Sequence, residues 1–130
     1  MVVSAATTRS PATATTIPMG ARSGDLYASS GVSGVDPTGP DRLEPVQGAG
    51  GQAYFGLRNL RTLAEQGGMS AADIGHVTVL VQDYTDLPAV DREWCALFPD
   101  SADRPARQVM QLGLQRRSRA QCHMLAVSSR

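Results

Sequence analysis

The sequence predicts one α+β domain, in which two helices pack on one face of a mixed β-sheet. The chain has 130 residues, a length typical of a single domain. Hydrophobic residues make up 42% of it and charged residues 18%, which allows a buried core. Apolar patterns with strand and helix periods then follow one another as strand, strand, helix, strand, helix, strand, strand.

The first 16 residues differ in composition from the rest of the chain. They are mostly Ala, Thr and Ser, with one arginine and no acidic residue. This composition predicts a disordered N-terminal tail, followed by a folded domain over residues 17–130. An organellar transit peptide has a similar composition, but usually contains more arginine. Because no segment approaches the ~18 apolar residues of a membrane span, we expect no membrane association and a cytoplasmic location.

The folded part is expected to open on a hairpin-like pair of strands. Gly24 and Asp25 form a turn, residues 26–30 read as a strand that Gly31 ends, and residues 32–35 continue the sheet. Residues 36–41, DPTGPD, are dense in turn formers and predict a loop.

Helical spacing predicts a first helix over residues 44–66, ended by Gly67 and Gly68. Its inward stripe consists of small and apolar residues, namely Ala53, Gly56, Leu57, Leu60, Leu63 and Ala64. Ser70 and Asp73 have the spacing of a capping box and predict a short helical turn.

Residues 76–81, HVTVLV, predict a strand buried on nearly both faces, closed by Asp83. A second helix then begins, with Asp86 as its cap and Pro88 in its first turn. Its inward stripe is Leu87, Val90, Trp94, Leu97 and Phe98. After a loop at 100–106, residues 107–112 and 119–127 predict the two final strands.

Charge and residue types exclude several classes of function. Twelve basic residues balance twelve acidic ones, so nothing attracts nucleic acid over a distance. All basic residues are arginine, which excludes lysine nucleophiles and the P-loop lysine. Two cysteines and two histidines are too few for a disulfide framework or a standard zinc site. We therefore expect no metal site, and expect Cys95 and Cys122 to be buried and reduced.

Two polar residues on the final strands remain as candidates for chemistry. Arg107 begins one strand, and His123 is a polar residue within a mostly apolar one. On a strand, Gln121, His123 and Leu125 share a face opposite Cys122, Met124 and Ala126. From the residues alone, the pattern favours an exposed or salt-bridged arginine and a hydrogen-bonded structural or interface histidine over catalytic roles.

Six short segments occur in a characteristic order along the chain. They are residues 24–31 (GDLYASSG), residues 36–39 (DPTG), Gln52 with Leu57, Asn59 and Gly67, residues 78–81 (TVLV) with Asp83, residues 105–107 (PAR) and residues 125–127 (LAV). In this order and spacing they resemble the RidA/YjgF family of reactive intermediate (imine) deaminases, also described as L-PSP endoribonuclease-like.

The resemblance implies a chorismate-mutase-like subunit that forms a homotrimer, with its sites between subunits. It implies a 2-iminobutanoate/2-iminopropanoate deaminase activity, a hydrolase reaction of a small carboxylate-bearing imine or enamine without a cofactor. Arg107 would hold the substrate carboxylate, as a planar guanidinium does well. Backbone groups at Ser30, Gly31 and Val109 would position substrate and water.

The sequence departs from the family pattern around this site. His123 occupies the place of a glutamate that orients water, Asp91 that of an asparagine, and Val109 that of a common cysteine. A family tyrosine has no clear match near residues 19–21. A histidine can still act as a base near neutral pH.

Three hypotheses for function therefore stand. The first is the imine deaminase, with Arg107 as anchor and His123 acting on water. The second is an enzyme of this fold recruited to a biosynthetic pathway for a cyclisation, condensation or hydrolysis, with His123 and Asp91 as an acid/base pair. The third is a non-catalytic trimer that senses an anion. Zero net charge disfavours the endoribonuclease label, and the arginines at 116, 117 and 119 read as a solvated loop.

Overall fold

The computed structural model describes residues 2–3, 17–41, 43–115 and 117–129. Across these residues, strands form one mixed sheet and two α-helices pack together against it, as the predicted α+β class requires. The strands are β1 Val2–Val3, β2 Gly20–Ser23, β3 Leu26–Ser29, β4 Val32–Ser33, β5 Ile74–Val81, β6 Ala106–Gln111 and β7 Ala120–Val127. The helices are α1 Ala49–Gln66 and α2 Leu87–Leu97.

The sheet has the strand order β1-β2-β3-β7-β5-β6, and the short β4 also pairs with β7. Among the described strands, only β5 and β6 run parallel, and α2 lies in the connection between them. As a result β6, which carries Arg107, is an edge strand of the described sheet. Val2 and Val3 pair with Arg22 and Ala21, while the rest of the predicted tail lies outside the described residues.

The opening hairpin forms with a different partner from the predicted one. The turn at Gly24 and Asp25 joins β2 to β3, and Gly24 has a φ of 58° that a glycine adopts without strain. The predicted second strand at residues 32–35 is wrong as a hairpin partner, because β4 pairs instead with β7 through Val32 and Cys122. The sequence of β2, GARS, has little β-propensity, which explains why sequence reasoning missed it.

Helix α1 begins five residues later than predicted. The Val46 amide donates to the Gly34 carbonyl at 2.9 Å, and Gly48 has a φ of 87°, so the chain before Ala49 is not helical. The predicted end is confirmed, since the Gly67 amide donates back to the last turn of the helix. The predicted inward stripe is buried as well.

Gln52 ties α1 to the beginning of β7. Its side chain is 1% exposed and is completely satisfied. The amide nitrogen donates to the carbonyls of Val46 and Arg117, both at 2.9 Å. The amide oxygen accepts from the backbone N–H groups of Arg119 and Ala120. A buried amide with every hydrogen bond made fixes the two segments relative to each other.

Tyr27 fills a space that two glycines leave open. Its ring is fully buried, and a Cβ at either Gly20 or Gly67 would overlap the tyrosine side chain. The hydroxyl group has no hydrogen-bond partner among the described residues. The pair β2–β3 is therefore packed against the end of α1 by one aromatic ring.

Helix α2 begins after Asp86 as predicted, but Asp86 does not cap it with its side chain. The carboxylate instead accepts from Arg119, with Nε at 2.8 Å and Nη2 at 2.7 Å. Between the helices, the predicted capping box is present in a 3-10 turn at Ala71–Asp73. Hydrogen bonding from Ser70 lowers the pKa of Asp73 from its ordinary value of 3.8.

The two cysteines have different environments, so the prediction that both are buried is half wrong. Cys122 is buried under α1, and desolvation raises the pKa of its thiol from 9.0 to about 12. Cys95 is exposed because it follows Trp94, which α2 turns into the core. None of the described helices is long and apolar enough to cross a membrane.

Candidate functional site

Arg107 lies at the sheet edge, on the side that the helices cover. It pairs with the buried Val77 across β5 and β6, so both side chains point to the helix face. Its Nη1 donates to Oδ1 of Asp91 at 2.7 Å, and its guanidinium carbon lies 5.0 Å from the centroid of the Trp94 ring. The predicted anchor is thus held by a carboxylate and an aromatic face on α2.

Asp91 and Trp94 are three residues apart on α2, so both reach the same strand. We call Arg107, Asp91 and Trp94 the anchor cluster. Sequence reasoning assigned Trp94 only to the core, where it is indeed buried. The three-residue spacing between Asp91 and Trp94 was the sequence signal that could have predicted the contact of Trp94 with Arg107.

The anchor cluster keeps hydrogen-bonding capacity for a ligand. Asp91 engages a single nitrogen of Arg107, and among the described residues Nε and Nη2 have no other partner. The second carboxylate oxygen of Asp91 likewise has none in the described part of the chain. The side chains of Arg107 and Asp91 are 23% and 47% exposed, so solvent and small molecules reach both. An outer edge of the guanidinium therefore remains available to a second carboxylate.

His123 points to the other face of the sheet. It pairs with Thr78, which follows Val77 directly in β5. Successive strand residues point to opposite faces, so His123 lies on the face away from the helices. Its predicted grouping with Gln121 is confirmed, because Cys122 and Met124 are buried under the helices.

Ser30 and Gly31 follow β3 directly and have different roles. The Ser30 hydroxyl donates to the Pro18 carbonyl at 2.9 Å, and its amide donates to the Met19 carbonyl. Its side chain therefore holds the chain before β2. Gly31 is exposed, and a Cβ there would lie 3.6 Å from Oε1 of Gln121. We call Gly31, Gln121 and His123 the sheet-face cluster.

Val109 follows Arg107 by two residues and points the same way. It pairs with Val79 and packs against the hydrophobic core, so only its backbone can face a ligand. Within a single chain, the predicted site residues Arg107 and Asp91 are in contact, whereas His123 lies on the opposite face of the sheet. The described residues contain no cluster of three or more potential metal ligands.

This arrangement is an α+β unit, a mixed sheet covered by two helices, with a partly exposed arginine at the sheet edge. A scan against protein-family models found no match. A RutC family protein of Haemophilus influenzae is 34% identical over 92 residues, 68% of each chain. The 2-iminobutanoate/2-iminopropanoate deaminase of Salmonella typhimurium is 31% identical over 108 residues, 82% of each chain. The crystal structure of the Escherichia coli YjgF gene product superposes with a TM-score of 0.79 at 25% identity, covering 98% of both chains.

The chain belongs to the RidA/YjgF (RutC) family. The family resemblance of the sequence is thereby confirmed, together with the mixed sheet and its two helices.

Proposed function

We propose that this protein is a cofactor-independent deaminase that hydrolyses small 2-imino acids to 2-oxo acids and ammonia. The observation that carries the proposal is the anchor cluster, which presents a partly exposed guanidinium at a sheet edge. The Trp94 face and Asp91 limit the freedom of this side chain before a ligand arrives. The deaminase name of a 31% identical relative supports the same substrate class.

In the proposed reaction, Arg107 holds the substrate carboxylate through its free nitrogens. Water adds to the imine carbon, one of its protons passes to the nitrogen, and a carbinolamine forms. The hydroxyl proton of the carbinolamine then passes to the nitrogen, the C–N bond breaks, and ammonia leaves the 2-oxo acid. No electrons are exchanged, and no co-reactant besides water is needed. His123 would orient the water and transfer its proton.

Because Arg107 and His123 lie on opposite faces of one sheet, the proposal requires two copies of the chain at each site. We place Arg107 of one subunit opposite His123 of the partner subunit, within a homotrimer. The helix-free sheet face supports such assembly, since its large apolar side chains are exposed in the single chain. Exposed fractions on this face are 43% for Leu26, 42% for Met110, 47% for Leu125 and 54% for Val127.

A coupled assay tests the activity. A serine dehydratase generates 2-aminoacrylate and its imine in place, and pyruvate release is followed with wild-type protein and with Arg107→Ala. Acceleration by the wild type alone is the expected result. If neither protein accelerates release while pyruvate still stabilises the fold, the anion-sensing hypothesis replaces the deaminase.

A further inference from the structure

The anchor cluster contains a carboxylate of its own. Oδ1 of Asp91 lies 2.7 Å from Nη1 of Arg107, so the guanidinium charge is already opposed before a ligand binds. A ligand carboxylate that takes the remaining nitrogens of Arg107 comes close to a second negative charge. Like charges at such a distance repel, and the repulsion is only partly screened where side chains exclude water.

The unpartnered oxygen of Asp91 offers a way to remove this repulsion. It is an acceptor on a side chain that is 47% exposed, and it belongs to the carboxylate that already pairs with Arg107. In a 2-imino or 2-amino acid, the nitrogen is bound to the carbon next to the carboxylate. When protonated, that nitrogen carries a positive charge and N–H donors. A ligand of this kind places its carboxylate on Arg107 and its nitrogen on Asp91 at the same time.

We infer that Asp91 makes the Arg107 site selective for zwitterions, in which a cationic nitrogen neighbours the carboxylate, over simple carboxylate anions. This inference rests on the proposed function and adds its substrate form, the iminium acid. It also gives Asp91 a consequence for turnover. The 2-oxo acid product has lost the nitrogen, so it meets the Asp91 charge without compensation and dissociates more readily.

Binding measurements with a matched ligand pair test the inference. L-Alanine and pyruvate share a carbon skeleton, but at the carbon next to the carboxylate L-alanine carries an ammonium group and pyruvate an oxo group. Calorimetric titration of the intact protein gives the ratio of their dissociation constants. We expect wild-type protein to prefer L-alanine, and Asp91→Asn to shift the ratio toward pyruvate by about fivefold or more. Asp91→Ser serves as a second variant that also removes the carboxylate.

Glu93→Gln is the control for removing a negative charge from α2. Glu93 lies on the same helix and pairs with Arg58 at 3.4 Å, away from Arg107. The Glu93→Gln substitution should leave the ratio of the two dissociation constants unchanged. A ratio that is the same in wild type, Asp91→Asn and Asp91→Ser, while Arg107→Ala loses both ligands, would overturn the role of Asp91 and keep the anchor. If wild-type protein binds neither ligand, both the inference and the carboxylate anchor are wrong, whereas turnover in the coupled assay reports separately on the deaminase.

Discussion

Arg107 and His123 project from opposite faces of one sheet, because they pair with the adjacent residues Val77 and Thr78 of β5. A single chain therefore does not present both groups to one small molecule. The proposed site is shared between subunits, and each cluster is a half-site. Under this proposal, activity requires assembly, because one subunit supplies Arg107 and its partner supplies His123.

Arg107→Ala should weaken binding of pyruvate and L-alanine by about 10- to 100-fold, since charge-assisted hydrogen bonds are lost. Titration calorimetry measures the effect. Arg58→Ala is the matched control, because Arg58 also stacks on an aromatic ring, at 3.7 Å from Tyr54, and also pairs with an acidic residue of α2. Equal affinity losses in both variants would show that the effect is structural and not local to the anchor.

His123→Gln should lower kcat for imine hydrolysis by about 100-fold, with KM nearly unchanged, if the imidazole acts on water. Steady-state kinetics in the coupled assay separate the two constants. His76→Gln provides the comparison, because His76 pairs with Leu125 and shares the face of His123. Unchanged kcat in His123→Gln would remove this residue from the mechanism.

Leu125→Glu should reduce the mass of the assembly from a trimer toward a monomer. The side chain is 47% exposed in the single chain and lies amid the apolar residues of the helix-free face. Burial of a glutamate in a subunit contact without a partner is costly. Light scattering gives the mass, and Leu43→Glu, at a residue 80% exposed outside the sheet, should have no effect. A wild-type protein of monomer mass would contradict the trimer directly.

The two thiols should differ in reactivity. Near pH 8, Ellman's reagent should label Cys95 rapidly and Cys122 only after unfolding, because burial raises the pKa of Cys122 to about 12. The same pKa shift affects stability. Above pH 9 the unfolded chain loses the Cys122 thiol proton while the folded state retains it, so raising the pH lowers the free energy of unfolding. Cys95→Ser should show no labelling in the native state. Fast labelling of that variant would mean that Cys122 is accessible.

Tyr27→Phe should leave the free energy of unfolding within about 1 kcal/mol of the wild type or raise it, since the buried hydroxyl has no partner in the described residues. Gly67→Ala should instead cost about 1–3 kcal/mol, because the new methyl group overlaps the Tyr27 ring. Thermal melts compare the two. A large loss in Tyr27→Phe would indicate that the hydroxyl has a partner, such as a bound water.

Helix stripes and long strands could be predicted from the sequence because their periodicity is strong. The buried face of α1 and the valines of β5 follow directly from spacing. Strand β2 could not, because its sequence GARS has few β-forming residues. Residues 32–35 were predicted to continue the sheet, but the pairing of β4 with β7 depends on tertiary contacts that spacing does not give. The beginning of α1 was missed for a similar reason, since the Val46 amide binds the distant Gly34 carbonyl.

The candidate site residues were predicted partly from strand alternation and partly from family motifs. Alternation correctly placed His123 with Gln121. The sequence did not identify Asp91 as the partner of Arg107, because it does not give the distance between an edge strand and a helix. Two contacts could be seen only in the structure. They are the stacking of Arg107 on Trp94 and the hydrogen bond from the Ser30 hydroxyl to the Pro18 carbonyl.

Gln52 has a consequence for the last strand that goes beyond packing. A β-strand that slips by one residue exchanges its two faces. The carboxamide oxygen of Gln52 accepts from the amides of Arg119 and Ala120, at the point where β7 begins. A slip there would turn Cys122 outward and His123 into the core. Gln52, which lies 68 positions before Ala120 in the chain, therefore helps to fix which residues of β7 face the helices. The outward direction of the His123 imidazole depends on this contact with α1.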